Sequence, residues 1–366
     1  MEEVNKIIQG DTLQVLKTFP SESIDCVITS PPYYGLRDYG TAKWEGGDKK
    51  CDHLGKPHST QAGFNERYTG KSPVLIDKQG ELRELFKDVC GKCGARRIDA
   101  QLGLEKTLDE YLDKMLAITL ELKRVLKKTG TMFWNHGDSY ASLGRVGGDI
   151  DLDVGMDINR GRSRIRKGTY SEKCLMLQNY RLAQRMIDEQ KWILRNTIIW
   201  HKPNCMPSSV KDRFTVDYEP VFFFTKAKKY WFETQFEQFK SNNYDLERMA
   251  NARTEYGGKW AQESGGAIKT QRAFVAGGSI GRNKRSVWKI PTKPYSEAHF
   301  ATFPPALIQP MVKAGCPPKG IILDPFMGSG TTALVARSLG RNYLGIELNQ
   351  KYIDMANRRL AQKVLF

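Results

Sequence analysis

Nothing in the 366-residue sequence approaches the ~20 consecutive apolar residues that a membrane-spanning helix requires. Its first residues, MEEVNKIIQGD, have neither the basic start nor the apolar stretch of a secretory signal. Seven cysteines at mostly irregular spacing are unlike a secreted disulfide framework. These absences predict a cytoplasmic protein with reduced thiols and no membrane partner. No internal repeat is visible. Acidic residues are in deficit: 41 Asp and Glu against 57 Lys and Arg leave a net charge of +16. Such an excess favours a polyanionic partner, nucleic acid in the simplest case, because neutralised phosphates release counterions. What remains is ordinary for a folded protein, 40% hydrophobic and 27% charged. The length suits one large or two ordinary domains.

The pattern alternates strands with helices. Residues 6–8, 24–29 and the segment TMFWNH read as strands, as do NTIIWHKP and EPVFFFTK. Residues 12–19, the periodic run 108–126 and NYRLAQRMIDEQ read as helices, with KKTG as a glycine stop after the second. Near the end, PPALIQPMVKAG, GSGTTALVARSLG and QKYIDMANRRLAQKVL supply helices around the strands IILDPF and NYLGIEL. This order predicts an α/β fold with a doubly wound, mostly parallel sheet. Three segments break it: 41–97, 144–173 and 233–285, all polar and glycine-containing.

The most readable chemistry lies in ILDPFMGSGTTALVARSLGRNYLGIEL, residues 322–348. A buried strand ends in Asp324, Gly328 and Gly330 permit a tight turn, and Thr331 and Thr332 begin a helix. Glycines let a backbone approach a ligand, and a helix start offers free N–H groups. A second strand then ends in Glu347, an acceptor for both hydroxyls of a ribose. The loop lacks the lysine of a phosphate-binding loop and is no G-x-G-x-x-G, so a nucleoside without a pyrophosphate fits it better.

DPFMGSGTT followed by GIEL resembles the S-adenosylmethionine loop of the DNA amino-methyltransferases, and TSPPYYGLRDYG at 29–40 resembles their catalytic motif. The catalytic motif precedes the cofactor loop, which is the order of the β group. GTMFWNHGDSY, IIWHKPN, DYEPVFFFTK and SVWKIPTKPYSEAHFATFPPALI are similar to further segments of that family, in its order. The resemblance implies a seven-stranded Rossmann-like sheet built from residues 1–40, 98–232 and 286–366. It implies S-adenosylmethionine as methyl donor and double-stranded DNA as substrate, with a cognate restriction endonuclease as an optional partner. Oligomeric state and target sequence are not readable.

On that reading Ser30, Pro31, Pro32 and Tyr33 carry the catalysis. Ser30 Oγ and the Pro31 carbonyl are acceptors for the target amino group, and Tyr33 is a stacking face for an extruded base. Asp324, Phe326, Gly328, Gly330, Thr331, Thr332 and Glu347 are expected around the cofactor. Asp11 assists there or simply closes a turn, and His299 touches the cofactor or is structural. Lys202 and Asn204 contact the base or a flanking phosphate, with a solvated surface the alternative; Arg213 is equally open. Arg162, Arg164 and Arg166 suit phosphate contacts or a solvated charge run. Serine at the head of the motif resembles cytosine-N4 enzymes more than adenine-N6 enzymes. An RNA amino-methyltransferase and a catalytically silent DNA-binding module are the competing readings.

Cys51, His53, Cys90 and Cys93 offer four ligands for a structural Zn2+. CGKC is a good half-site, whereas ligands two apart in CDH need a turned backbone, and His58 is an alternative to His53. Residues 41–97 are therefore read as a zinc-binding insertion and 233–285 as the target-recognition region.

Overall fold

Period-two alternation in the strands divides the core into two layers. Along IDCVIT, Val27 faces one side while Cys26 and Ile28 face the other; along VFFF, Phe222 and Phe224 oppose Val221 and Phe223. The computed structural model describes residues 3–35, 43–57, 74–76, 82–85, 89–98, 101–141, 170–238, 281–293 and 303–362.

The chain runs β1 (Lys6–Gln9), α1 (Thr12–Thr18) and β2 (Ile24–Thr29), then through short strands of the insertion. These are β3 (Lys43–Glu45), β4 (Leu54–Pro57), β5 (Val74–Ile76), β6 (Leu82–Leu85) and β7 (Arg96–Ile98). Next come α2 (Leu108–Val125), β8 (Leu126–Asn135), α3 (Gln178–Asp188), β9 (Ile193–His201) and β10 (Tyr218–Thr225). β11 (Phe236–Gln238) pairs with β12 (Gly281–Asn283), joining the two ends of the polar segment 233–285. The chain continues through β13 (Val287–Lys289), α4 (Pro305–Gly315), β14 (Ile321–Asp324), α5 (Thr331–Ser338), β15 (Asn342–Glu347) and α6 (Gln350–Ala361).

Among the described residues the main sheet has eight strands, in the order β1-β15-β14-β2-β8-β10-β9-β13. Only β10 runs against its neighbours. This is one strand more than the seven expected, because VWK lies parallel beside β9 and lengthens that edge. Helices α1, α2 and α3 cover one face, and α4 and α5 the other. Helix α2 starts on Thr107, whose side chain accepts from the Glu110 amide, and places acids in its first turn and bases in its last. It does not run on to the glycine of KKTG. The strand begins at Leu126, and the register jump from Ile24↔Leu126 to Cys26↔Thr131 takes up the intervening residues as an irregularity.

Candidate active site

Strands β2 and β14 are parallel neighbours, with Cys26 opposite Ile322 and Val27 opposite Leu323. Their C-terminal ends therefore meet at one edge of the sheet, where α/β proteins bind ligands. Asp324 ties the ends together. It accepts hydrogen bonds from Thr29 Oγ1 at 2.6 Å, Thr332 Oγ1 at 2.6 Å and the Phe326 amide at 3.1 Å. The side chain is fully buried, and burial pushes its carboxyl up to about 6 against the pull of those donors. It is an inward brace between the end of β2, the glycine bend and α5.

The bend itself needs glycine. Gly328 and Gly330 have φ of +51° and +81°, a region other residues rarely adopt. A Cβ on Gly330 would lie 2.8 Å from that of Ala356, so the bend sits tightly on α6. A Cβ on Gly328 would instead project into open space, with only the Phe326 carbonyl at 3.9 Å. Glu347 closes the other side, accepting from the Gly328 and Asn349 amides, each at 2.8 Å. Burial raises its carboxyl above the usual range. Arg359 holds the Ser329 carbonyl at 2.6 Å and Thr331 Oγ1 at 3.2 Å, and Phe326 packs edge-on against Trp134. Asp11 caps α1 through the Gln14 amide, while its neighbour Thr12 donates to the Pro325 carbonyl at 2.8 Å. A glycine bend hydrogen-bonded to a strand-ending carboxylate suits the nucleoside of S-adenosylmethionine. His299 lies outside the described residues.

One residue beyond Thr29 the SPPY corner begins. Tyr33 Oη donates to Glu219 Oε2 at 3.1 Å and lies 3.2 Å from Ser30 Oγ. A phenol has one hydrogen, so Ser30 donates to Tyr33 and keeps its own lone pairs outward. Glu219 also accepts from Asn135 at 3.2 Å and from Lys202, whose ammonium sits 4.4 Å from the centre of the Trp200 ring. Lys202 is only 18% exposed, so it faces this network. Burial first, then the Glu219 charge, pushes the Tyr33 phenol well above its ordinary value, and it stays protonated. Gly137 permits this placement, since a Cβ there would meet Tyr33 Cε2 at 2.6 Å.

Pro32 is pinned from behind. Tyr111 Oη donates to its carbonyl at 2.9 Å and lies 3.1 Å from His136 Nε2. Trp134 Nε1 lies 3.5 Å from His136 Nδ1; an indole can only donate, so the Nε2 nitrogen carries the imidazole hydrogen and passes it toward Tyr111. Burial lowers His136 to about 3 and keeps it neutral. Among the described residues, none donates to the Pro31 carbonyl.

Sequence reasoning had no place for Glu219, Asn135, Tyr111 or His136. The available signal was polar residues closing or opening apolar runs, WNH and DYEP. Asn204 clamps to Thr292, accepting from its amide at 2.8 Å and donating to its carbonyl at 3.0 Å. Arg213 stacks 3.4 Å from the centre of the Tyr140 ring. Arg162, Arg164 and Arg166 lie outside the described residues.

Cys51, His53, Cys90 and Cys93 converge, their ligand atoms all within 4.8 Å of one another. The Cys51–Cys90 sulfurs are 3.7 Å apart and Cys93 Sγ is 3.6 Å from His53 Nδ1. Bonds of about 2.3 Å to sulfur and 2.0 Å to nitrogen give tetrahedral edges of about 3.8 and 3.5 Å, so the donors fit zinc. The turned backbone that CDH requires is present, with His53 at φ +54°. His58 lies outside the described residues. Trp44 stacks on His53 with centroids 4.4 Å apart. The chain after the insertion returns to the SPPY turn, where the Gly35 amide donates to the Gly103 carbonyl at 3.0 Å.

A DNA methylase family, that of the N6 and N4 methyltransferases, matches residues 24–358. Type II methyltransferase M.XycI of Xanthomonas campestris pv. cyanopsidis is 34% identical over 361 residues, spanning 97% of this chain and 87% of that protein. Type II methyltransferase M.SmaI of Serratia marcescens is 32% identical over 362 residues, spanning 98% and 91%. Among solved structures, PvuII DNA methyltransferase (cytosine-N4-specific) superposes with a TM-score of 0.56 at 18% identity, over 100% of this chain and 89% of that one. That likeness shows a shared fold.

Proposed function

The chain belongs to the N6/N4 DNA methylase family, as an amino-methyltransferase of the β group, and on that premise we propose that it methylates N4 of a cytosine extruded from duplex DNA. The observation that carries this reading is the meeting of Ser30–Tyr33 with the Gly328–Gly330 bend across the Thr29–Asp324 hydrogen bond. Gly328 and Glu347 would hold the nucleoside of S-adenosylmethionine, with Phe326, Thr331 and Thr332 around the bend. That cofactor supplies an electrophilic methyl group on a sulfonium sulfur.

The chain's own residues must make the target nitrogen nucleophilic. An exocyclic amino group is a poor nucleophile because its lone pair is delocalised into the ring. Two acceptors, Ser30 Oγ and the Pro31 carbonyl, draw its hydrogens out of the ring plane and return density to nitrogen. Ser30 is suited to accept because its hydrogen points to Tyr33, and Tyr33 in turn donates to Glu219. Lys202 and Asn135 anchor that carboxylate. Tyr111 fixes the Pro32 carbonyl, and the diproline bond then fixes the one before it. The nitrogen so prepared would take the methyl group as the sulfonium carbon–sulfur bond breaks, S-adenosylhomocysteine would be left behind, and the spare proton would pass to water, with no residue of the chain bonded to the base.

Serine at the motif head supports cytosine over adenine. Residues 233–285 are assigned to target recognition, and Zn2+ held by Cys51, His53, Cys90 and Cys93 staples the insertion without entering the chemistry. Asp11 and Asn204, satisfied by the protein, are assigned structural roles. The test is methyl transfer from labelled cofactor to duplex DNA, with nucleoside mass spectrometry of the product. N4-methylcytosine is expected, and a product containing only N6-methyladenine would reverse the base assignment. Ser30→Ala and Glu219→Gln should each lower kcat by about tenfold or more while leaving cofactor affinity unchanged.

A further inference from the structure

The connection between β9 and β10, residues 202–217, rises from the edge of the sheet that carries the catalytic motif. β10 is antiparallel to both β8 and β9, so β9 ends on the same side as β8 and β2. Two large apolar side chains on this connection are almost wholly bare: Phe214 is 96% exposed and Met206 is 89% exposed. The connection begins at Lys202 and leads back to Glu219, which are hydrogen-bonded to each other in the Tyr33 network, so these two bare side chains sit on a segment anchored at the site.

The backbone beneath Phe214 is braced. Asp212 pairs with Lys173 at 2.7 Å, and Arg213 stacks 3.4 Å from the centre of the Tyr140 ring. Beyond Phe214, the Lys202 amide donates to the Asp217 carbonyl at 2.7 Å, and Asn204 is clamped to Thr292. The ring is thus presented to solvent from a framework fixed on both sides. Its neighbours Lys211 and Arg213 are basic, and the acid between them is neutralised by Lys173. A bare aromatic ring flanked by Lys211 and Arg213 on a braced loop complements a duplex better than an apolar protein surface.

We propose that Phe214 is a wedge that enters the base stack where the target base has left it; this rests on the DNA methyltransferase reading above. Extruding a base leaves a flat apolar gap and costs its neighbours their stacking. A phenylalanine ring fills such a gap and holds the base out, as apolar wedges do at kinked steps, while Lys211 and Arg213 face the flanking phosphates.

The test compares wild type with Phe214→Ala and Phe214→Trp, all with cofactor, on two duplexes. Both carry the site mapped by modification in a methylation-free host; in the second, the target base lies opposite an abasic nucleotide and has no pair to break. Phe214→Ala should lose about tenfold or more in kcat/KM on the intact duplex and recover most of it on the abasic one. Phe214→Trp should stay near wild type. Full activity of Phe214→Ala on the intact duplex, or an equal loss on both, would overturn the wedge. So would a changed sedimentation rate of DNA-free Phe214→Ala, which would assign the ring to a contact between copies of the chain. Wild type that methylates no DNA would sink the methyltransferase reading, and the wedge with it; a failure confined to Phe214→Ala leaves that reading standing.

Discussion

Asp324 is the residue on which the two halves of the site hinge, and its environment makes a pH prediction. Its carboxyl lies at about 6 in the folded chain against an ordinary value of 3.8. A raised carboxyl favours the folded state most below the lower value, and that advantage is lost as pH rises through the upper one. The difference is worth about 3 kcal/mol. Urea unfolding of wild type and Asp324→Asn across this range should therefore show wild type losing most of that amount relative to the variant. A gap that stays constant with pH would mean that Asp324 is not titrating there. None of this is legible in DPF, since a strand-ending Asp beside glycines looks the same whether it faces a ligand or turns inward. The same holds for Lys202, which reads as a surface base in WHKPN and is drawn inward by a glutamate seventeen positions away.

At the scale of elements, the insertion is the least self-sufficient part. Neither hydrophobic cluster takes a side chain from residues 43–98, among those described. Short strands alone do not secure such a segment, so a metal clip is the stabilising device available. Protein purified without chelator should contain about one zinc per chain. Its removal, or Cys90→Ala, should open residues 43–98 to proteolysis while the sheet remains folded. Metal-free protein with an intact, resistant insertion would remove the zinc assignment. The helices are readable from apolar spacing, and the clustered Cys51, His53, Cys90 and Cys93 are found by residue type. The start of β8 is not, because a glycine after KKT marks a helix stop and a strand irregularity equally well. VWK, three residues long, carries too little periodicity to announce an eighth strand.

For the whole molecule, a net charge of +16 on a DNA-modifying protein predicts binding dominated by phosphate neutralisation. Raising salt from about 50 to about 200 mM should weaken DNA binding by about a thousandfold, as six phosphate contacts would. A loss smaller than about tenfold would place the charge away from the DNA. The sequence by itself determined the alternation of strands and helices, the order of the catalytic and cofactor motifs, and the residue types able to hold metal. Each of those is written in local spacing, which survives without coordinates. Only the tertiary structure decided that Thr29 reaches Asp324, that Ser30, Tyr33, Glu219 and Lys202 form one chain, and that Phe214 is left bare on the connection between β9 and β10. Such contacts join residues tens to hundreds of positions apart, and side-chain direction across a sheet edge is set by packing that no local pattern records.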